Sequence, residues 1–492
     1  MLTQEIYSQY VKILKEELVP AMGCTEPISI AYAAAKARAV LGETPVSAKV
    51  AVSGNIVKNA KSVTVPHTGG MRGIISAFAA GLVAGDADAE LEVIAHVTDE
   101  QIKEILSDVE GLKEQGLLFK DEIKSYPMKS NEVKALCIHI CHDCNMRCRY
   151  CFADEGAYHS KRESMSLETA KAAVDFLIEH SGKRKVLEMD FFGGEPLMNL
   201  DVLKQTVYYA KEAGAKAGKK FLFTTTTNAL LLNEETIRFF NEEMENVVLS
   251  LDGRKEVHDA IRKSVNGKGT FDLIIEKIKD FISLRGDKSY YVRGTFTAKN
   301  LDFAKDVLFI ADQGVDSISM EPVVTDIDDL QIKAEHLPTI EKEYENLCDA
   351  YLQRYAEGKG FNFFHFNIDL EGGPCLSKRV SACGAGNEYF SVTPNGDLYP
   401  CHQFAGNEKF RMGSVFEGIT RPDTRELFKN SCLFTRKKCE DCFAKFICSG
   451  GCSANNYNFN GDINEPYEVT CAMMKKRVEC AMHILAEKKL LK

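Results

Sequence analysis

The sequence predicts an α/β fold: a parallel sheet with crossover helices, open or curled into a partial (β/α)6 barrel. A cysteine-rich C-terminal domain follows it, and a small α+β segment precedes it. Three observations lead there. Apolar strand candidates alternate with amphipathic helix candidates about six times between residues 133 and 322, the beat of βαβ units. Polar or glycine-rich turns follow the first four strands in step, where ligands gather in such sheets. Most of the 17 cysteines fall into three short clusters, which is metal-site behaviour.

Taken in order, residues 1–105 are rich in Ala, Val and Gly. "TQEIYSQYVKILKEELVP" predicts a helix with Thr3 as N-cap and Ile6, Tyr10, Ile13, Leu14 and Leu18 on one face, ended by Pro20. "ISIAYAAAKARAVLG" predicts a second helix closed by Gly42, and "SAKVAVSGNIVKNAKSVTVP" alternates like paired strands. Residues 106–130 form a charged connector in which "ILSDVEGLKEQGLLF" predicts a helix with a turn. The strand candidates of the next region, 131–330, are "VKALCIHI", "LEMDFFGG", "FLFTTTTN", "NVVLSLDG", "YYVRGTFT" and "SISMEP". Helix candidates between them include "SLETAKAAVDFLIEHSG", "NLDVLKQTVYYAKEAGAKAG" and "NLDFAKDVLFIADQG". Residues 331–374 are a connecting helical stretch, and 375–492 a cysteine-rich domain that finishes in a basic helix.

Bulk composition narrows the function classes. Of 492 residues, 45% are hydrophobic and 27% charged, with a net charge of −10. No dense Lys/Arg block gives the basic face of a nucleic-acid binder. No apolar run reaches the roughly 20 residues that span a bilayer, and the N-terminus lacks the pattern of a signal peptide. The expectation is a cytoplasmic protein with no nucleic-acid or membrane partner. An odd cysteine count in a large chain of that kind argues against a disulfide framework.

The first cluster, "CHDCNMRCRYCF", holds Cys141, Cys144, Cys148 and Cys151. A zinc site would use two C-x2-C knuckles, which normally sit a dozen or more residues apart. Here only three residues separate them, so a tetrahedral site is awkward. The alternative takes Cys144-x3-Cys148-x2-Cys151, three thiolates for three irons of a [4Fe–4S] cluster with the fourth iron left open. Tyr150 and Phe152 beside the last ligand suit a cluster kept dry.

"CNMRCRYCF" resembles the radical S-adenosylmethionine motif. The resemblance implies that Cys144, Cys148 and Cys151 are the catalytic cluster's ligands and that Cys141 is a spectator. It implies that the open iron takes the amino and carboxylate groups of S-adenosylmethionine, and that reduction yields a 5′-deoxyadenosyl radical. "FFGGEP" resembles the family's GGE motif, so Gly193, Gly194 and Glu195 would hold the methionine amino group. "LSLDG" resembles its fourth-strand motif, with Ser250 at the cofactor. Arg262 would pair the cofactor carboxylate, and Thr226 and Asn228 would line the pocket.

"CGAGNEYFSVTPNGDLYPC" and "CEDCFAKFICSGGC" give Cys383-x12-Gly396-x4-Cys401 and Cys439-x2-Cys442-x5-Cys448-x3-Cys452, with Cys471 beyond. This string resembles the SPASM domain, an extension that binds two auxiliary [4Fe–4S] clusters. By that likeness Cys439, Cys442, Cys448 and Cys471 close one cluster, and Cys383, Cys401 and Cys452 hold the other. Cys375 is either its fourth ligand or absent from it, leaving an iron for a substrate thiolate. Cys24, Cys137, Cys141, Cys348, Cys432 and Cys480 remain, with an inert buried thiol as the default.

From about residue 106 onward, stretches such as "MDFFGGEP", "VVLSLDGRKEVHD", "GFNFFHF" and "CGAGNEY" resemble the maturases of SCIFF peptides. That implies a thioether bond from a peptide cysteine sulfur to a carbon of an acceptor residue, typically threonine. The implied partners are a cysteine-rich precursor peptide and a low-potential donor of flavodoxin or ferredoxin type. The alternatives are another SPASM reaction, such as formylglycine generation by a sulfatase maturase, or a non-catalytic iron–sulfur redox protein. Such maturases normally begin with a winged-helix domain that grips the precursor's leader, of which only a tail around "ILSDVEGLKEQGLLF" is expected within 106–130. In its place residues 1–105, through "VPAMGCTEP", "SGNIVKNAKSV" and "PHTGGMRG", resemble the start of a cysteine desulfidase of the UPF0597 family. In that family the cysteine matching Cys24 ligates a catalytic cluster. With the rest of that enzyme missing, the expectation is an inactive remnant or a sequence-assembly join.

Overall fold

Alternating burial along the strands sets the architecture. In Val186–Gly193, Leu187, Met189 and Phe191 are fully buried, while Glu188, Asp190 and Phe192 between them are only partly covered. The period of two gives one face to the crossover helices and the other to the site. The computed structural model describes residues 25–43, 63–114, 131–368 and 376–490, with isolated positions among residues 8–60. Most of the helix expected at 3–20 (all but residues 8, 9 and 12, which are helical), most of the connector, Cys24 and Cys375 lie outside the described residues. By its internal contacts the chain divides into two units, 1–124 and 125–492.

In the first unit, helix α1 (Thr25–Leu41) packs against α2 (Gly73–Ala84), and α3 (Asp99–Glu114) follows. The small residues of α1 and α2 allow close approach: a Cβ on Gly81 would lie 2.0 Å from the Ala31 carbonyl oxygen. Arg38 donates to the carbonyls of Leu82, Val83 and Gly85 at 2.5–2.7 Å, a cation on the last carbonyls of α2. Paired strands were expected at 47–66. Among the described residues there, Ile56, Val57 and Ala60 are helical, and the pairing is a single bridge, Thr64 to Arg72. Ile56 and Ala60 stand one helical turn apart, and both join the apolar core of this unit. The same letters satisfied both periods, and helical packing won. Helix α3 also runs across the expected boundary at 105, with Ile105 fully buried in that core.

Among the described residues, the second unit is built on one eleven-stranded sheet. Its strands are β1 (Ala135–Cys141), β3 (Val186–Gly193), β4 (Lys220–Thr227), β5 (Asn246–Ser250), β7 (Ser289–Phe296), β8 (Ser317–Pro322), β9 (Asn362–Phe363), β10 (Tyr389–Val392), β11 (Asp397–Tyr399), β12 (Gly413–Ser414) and β13 (Gly418–Ile419). A two-stranded ribbon, β2 (Met146–Cys148) with β6 (Arg262–Ser264), stands apart. The order is β13-β12-β11-β10-β1-β3-β4-β5-β7-β8-β9. All six expected strands are present as neighbours, and they pair in parallel. Crossover helices Leu167–His180, Leu200–Lys216 and Phe303–Asp312 match the expected segments to within a few residues. Ser166 caps the first, its Oγ accepting from Thr169 N at 3.1 Å. Ala170, Ala173, Val174 and Leu177 form its buried stripe, and burying a side chain such as Leu177 stabilises by about 1.5–3 kcal/mol.

One pairing was not visible in the sequence. Strand β10 runs parallel to β1, with Ala135 opposite Tyr389 and Ile138 opposite Val392. The cysteine-rich region therefore continues the same sheet, and every residue of β1 is buried.

Candidate active site

The loop after β1 and the carboxyl ends of β3, β4, β5, β7 and β8 meet at one end of the sheet. They wall a cavity of about 220 Å³. Cys144, Cys148 and Cys151 line it together with Gly193, Gly194, Glu195, Thr226, Asn228, Ser250 and Arg262. Cys141 does not. It ends β1 fully buried, with its Sγ 3.1 Å from the Asp143 carbonyl oxygen and 3.4 Å from that of Glu195.

The cysteine loop is docked by backbone. Gly194 N donates to Cys141 O and Glu195 N to Asp143 O, both at 2.9 Å. A Cβ on Gly193, whose φ is +119°, would sit 2.3 Å from Cys141 O, and one on Gly194 would sit 1.9 Å from Asp143 O. The double glycine therefore has a reason of its own: it lets β3 lie against the loop that carries the thiols. Antiparallel pairing of β2 with β6 holds the loop from the other side and places Cys148 opposite Arg262.

Glu195 is buried, and its carboxylate accepts from Leu197 N at 3.1 Å, Thr227 Oγ1 at 2.7 Å and Asn228 N at 2.8 Å. It ties the end of β3 to the end of β4. Asn228 in turn donates to Asn145 Oδ1 at 2.7 Å and lies 3.6 Å from Cys144 Sγ. Burial pushes the Glu195 carboxyl up to about 7 against those three donors. A carboxyl raised on folding favours the folded state below its ordinary range near 4.5 and loses that contribution as pH rises through about 7. The thermal midpoint of the cluster-free protein should therefore fall over that interval. In Glu195→Gln the fall should be shallower, as differential scanning calorimetry at several pH values would reveal. Equal slopes in the two proteins would remove Glu195 as a cause.

Arg262 is held charged under a roof of protein. Its Nε is 3.0 Å from Asp252 Oδ1, and its guanidinium lies 5.5 Å from the Tyr150 ring centre. Tyr150 Oη donates to Asp252 Oδ2 at 2.7 Å, and Thr295 N to Asp252 Oδ1 at 3.0 Å. Burial opposes the charge, but Asp252, Tyr150 and Cys148 outweigh it and raise the guanidinium above its ordinary value. Arg262 is thus a buried cation at the cavity wall rather than a surface ion pair.

The thiols fit a cluster. Burial pushes Cys144 and Cys148 up to about 12, so three thiolates facing one cavity need positive charge among them, which iron would bring. Cys439, Cys442, Cys448 and Cys471 line a second recess of about 650 Å³. Burial first, then Cys448, Cys439 and Cys442, raise the Cys471 thiol to about 11. In the remaining group, burial and then Cys452 and Cys383 raise the Cys401 thiol. The fifteen described cysteines are all free. Among them, Cys348 and Cys480 sit between the helices Leu337–Ala356 and Glu468–Leu490, Cys348 Sγ lying 3.7 Å from Cys480 O.

Sequence reading missed the other half of the cavity: Arg293, Thr295, Glu321, His402 and Gln403. Glu321, the penultimate residue of β8, lies 3.5 Å from His365 Nε2 and 3.8 Å from Arg477 Nη2. Burial raises its carboxyl, but His365, Arg477 and Arg293 draw it down to about 2. The strand-end rule that picked out Asn228 would have found Glu321 in "SISMEP". No local signal could find His402 and Gln403, which reach the cavity because β10 joins β1. The His402 ring stands 5.0 Å from Phe192 and 5.4 Å from Phe152, an aromatic wall beside the thiols.

Residues 138–297 match the Radical SAM superfamily. Among solved structures, the chain resembles native anSMEcpe with bound AdoMet and Cp18Cys peptide at 19% identity. That match covers 73% of this chain and all of that one, with a TM-score of 0.60. A polyhistidine-tagged anSMEcpe with bound AdoMet gives 20% identity over 72% of this chain and 98% of that one, with a TM-score of 0.59. These are likenesses of fold. The N-terminal region is 61% identical over 94 residues to a UPF0597 protein of Finegoldia magna and 58% identical over 107 residues to one of Desulfitobacterium hafniense. The chain spans only 22–25% of the length of those two relatives. Residues 138–297 thus carry a radical SAM domain, of a superfamily that uses a [4Fe–4S] cluster and S-adenosylmethionine. Among the described residues no helix is long and apolar enough to cross a membrane.

Proposed function

We propose that this enzyme is a peptide maturase that joins a cysteine sulfur to a carbon of an acceptor residue, threonine being the expected one, in a cysteine-rich SCIFF-type precursor. The observation that carries the reading is the single cavity in which three thiols, Glu195, Asn228, Ser250 and Arg262 converge at the sheet's carboxyl end. The SCIFF-like stretches of the sequence and the two further cysteine groups support it.

Cys144, Cys148 and Cys151 would hold the cluster that binds S-adenosylmethionine, and when bound this pair supplies hydrogen-atom abstraction. Arg262, kept charged by Asp252, is placed to bind a carboxylate. The Gly193–Glu195 turn and Asn228 orient the amino end. Arg293, Glu321, His402 and Gln403 would receive the peptide, and the Phe152–His402–Phe192 wall would limit water around the reacting carbon. In the net reaction the acceptor loses a hydrogen atom, the thiol loses its proton, a C–S bond forms and one electron departs. Cys383, Cys401 and Cys452, with Cys375, would hold one auxiliary cluster. Cys439, Cys442, Cys448 and Cys471 would hold the other, and together they supply an electron sink. A flavodoxin- or ferredoxin-type donor would provide the electron that starts the cycle. The desulfidase-like N-terminal unit is a remnant in this reading and takes no part in it.

The test is anaerobic incubation of the reconstituted protein with dithionite, S-adenosylmethionine and a six-cysteine synthetic precursor. The product should be lighter by two hydrogens, with one free thiol fewer and a fragment-resistant loop on tandem mass spectrometry. An aldehyde in place of the lost thiol would turn the reading toward formylglycine formation. Nucleoside production with an unchanged peptide would sink the assignment of this substrate.

A further inference from the structure

Arg436 is 3% exposed, an arginine buried in the middle of the cysteine-rich region. A buried guanidinium is costly unless its donors are met and its charge is balanced. It makes five hydrogen bonds. Nη1 donates to Gly450 O at 2.5 Å, Gly451 O at 3.2 Å and Ser449 O at 3.5 Å, and Nη2 to Ser431 Oγ at 3.1 Å and Ser453 Oγ at 2.9 Å. All of these partners are neutral. Among the described residues its buried Nε has no partner, and no carboxylate pairs with the guanidinium.

Burial lowers the guanidinium from its ordinary value, and Cys439, Cys448, Cys432 and Cys452 act against that shift. Cys439 and Cys448 belong to one proposed ligand group, and Cys452 to the other. The accepting carbonyls lie on Cys448-Ser449-Gly450-Gly451-Cys452, the loop that bears a ligand of each group at its two ends. That loop wraps the side chain tightly: Gly450 has φ +87°, and a Cβ there would lie 2.5 Å from Arg436 Nη1.

We propose that Arg436 is the shared counter-cation of the two auxiliary clusters: it fixes a ligand of each through the Gly450 and Gly451 carbonyls and raises the reduction potential of both. This rests on reading those cysteines as cluster ligands. Net charge and hydrogen bonds to sulfur set such potentials, and a cation between two anionic centres favours the added electron on either one. Arg436 is a positioning residue, since it touches neither substrate nor reacting atoms.

The experiment compares the wild-type full chain with R436K, R436Q and R436M after anaerobic reconstitution, using iron and sulfide counts and EPR-monitored redox titration. In the neutral variants both auxiliary signals should shift to lower potential while that of the radical cluster stays. R436K should lie nearer the wild type. If R436Q and R436M fail to load their auxiliary clusters but R436K loads them, the charge is needed for assembly and the proposal stands. Unchanged auxiliary potentials in a loaded neutral variant would overturn it. So would a shift of one auxiliary signal alone, or failure of R436K along with the others. An iron count of about four in the wild type would instead sink the auxiliary-cluster reading itself.

Discussion

Replacing any one of Cys144, Cys148 or Cys151 with alanine is expected to cut 5′-deoxyadenosine formation by at least about a thousandfold, whereas Cys141→Ala should stay within about threefold of the wild type. The difference is geometric. The three thiols open onto one cavity, and Cys141 Sγ points instead at the carbonyls of Asp143 and Glu195. Losing Cys141 removes one buried sulfur and a weak hydrogen bond, about 1 kcal/mol. Losing a ligand removes one of the three protein attachments of the cluster. The measurement is chromatography of the nucleoside after anaerobic reconstitution and dithionite reduction, with iron counted on the same samples. Wild-type nucleoside yield from Cys148→Ala, or none from Cys141→Ala at full iron, would overturn the assignment of ligands.

Gly194→Ala should be nearly as damaging, although it alters no side chain that meets a cofactor. The added methyl would start 1.9 Å from Asp143 O, so the cysteine loop must move by more than an ångström. Overpacking of this kind costs about 1–3 kcal/mol, and losing the bond from Glu195 N to Asp143 O adds about 1 kcal/mol. The expected result is a lower thermal midpoint and an iron count reduced by about four, the content of one cluster. Gly218→Ala is the control. Its φ is +66° but a Cβ there meets nothing within 4 Å, so it should cost only about 1 kcal/mol with iron unchanged. Full iron in Gly194→Ala would show that the loop can retreat without releasing its cluster.

The strands were legible because burial alternates along them, and the sites after them because parallel sheets present their loops at one end. The three cysteines expected to hold the cluster needed only their spacing. Other roles were hidden by what a linear sequence omits. Gly193 and Gly194 read as cofactor contacts, while the structure gives their missing Cβ atoms a packing purpose against Cys141 and Asp143. Asp252 was not singled out within "LSLDG"; only the fold brings it to Arg262 and Tyr150. His402 and Gln403 were beyond reach, since they arrive through a pairing between strands some 250 residues apart in sequence. The stretch at 47–66 failed for the opposite reason: Ile56 and Ala60 fit two periods equally well, and only packing could choose.

That β10–β1 pairing also sets the terms on which the molecule can be divided. The cysteine-rich region is not a bead on a string. A chain cut near residue 375 would leave the backbone donors and acceptors along Ala135–Ile138 facing water in a strand whose side chains are all buried, an open template for another copy's edge. Swapping in the terminal region of a different enzyme would therefore have to carry its own docking strand in register. The joint between the chemistry-bearing barrel and the cysteine-rich tail is a row of hydrogen bonds within one sheet.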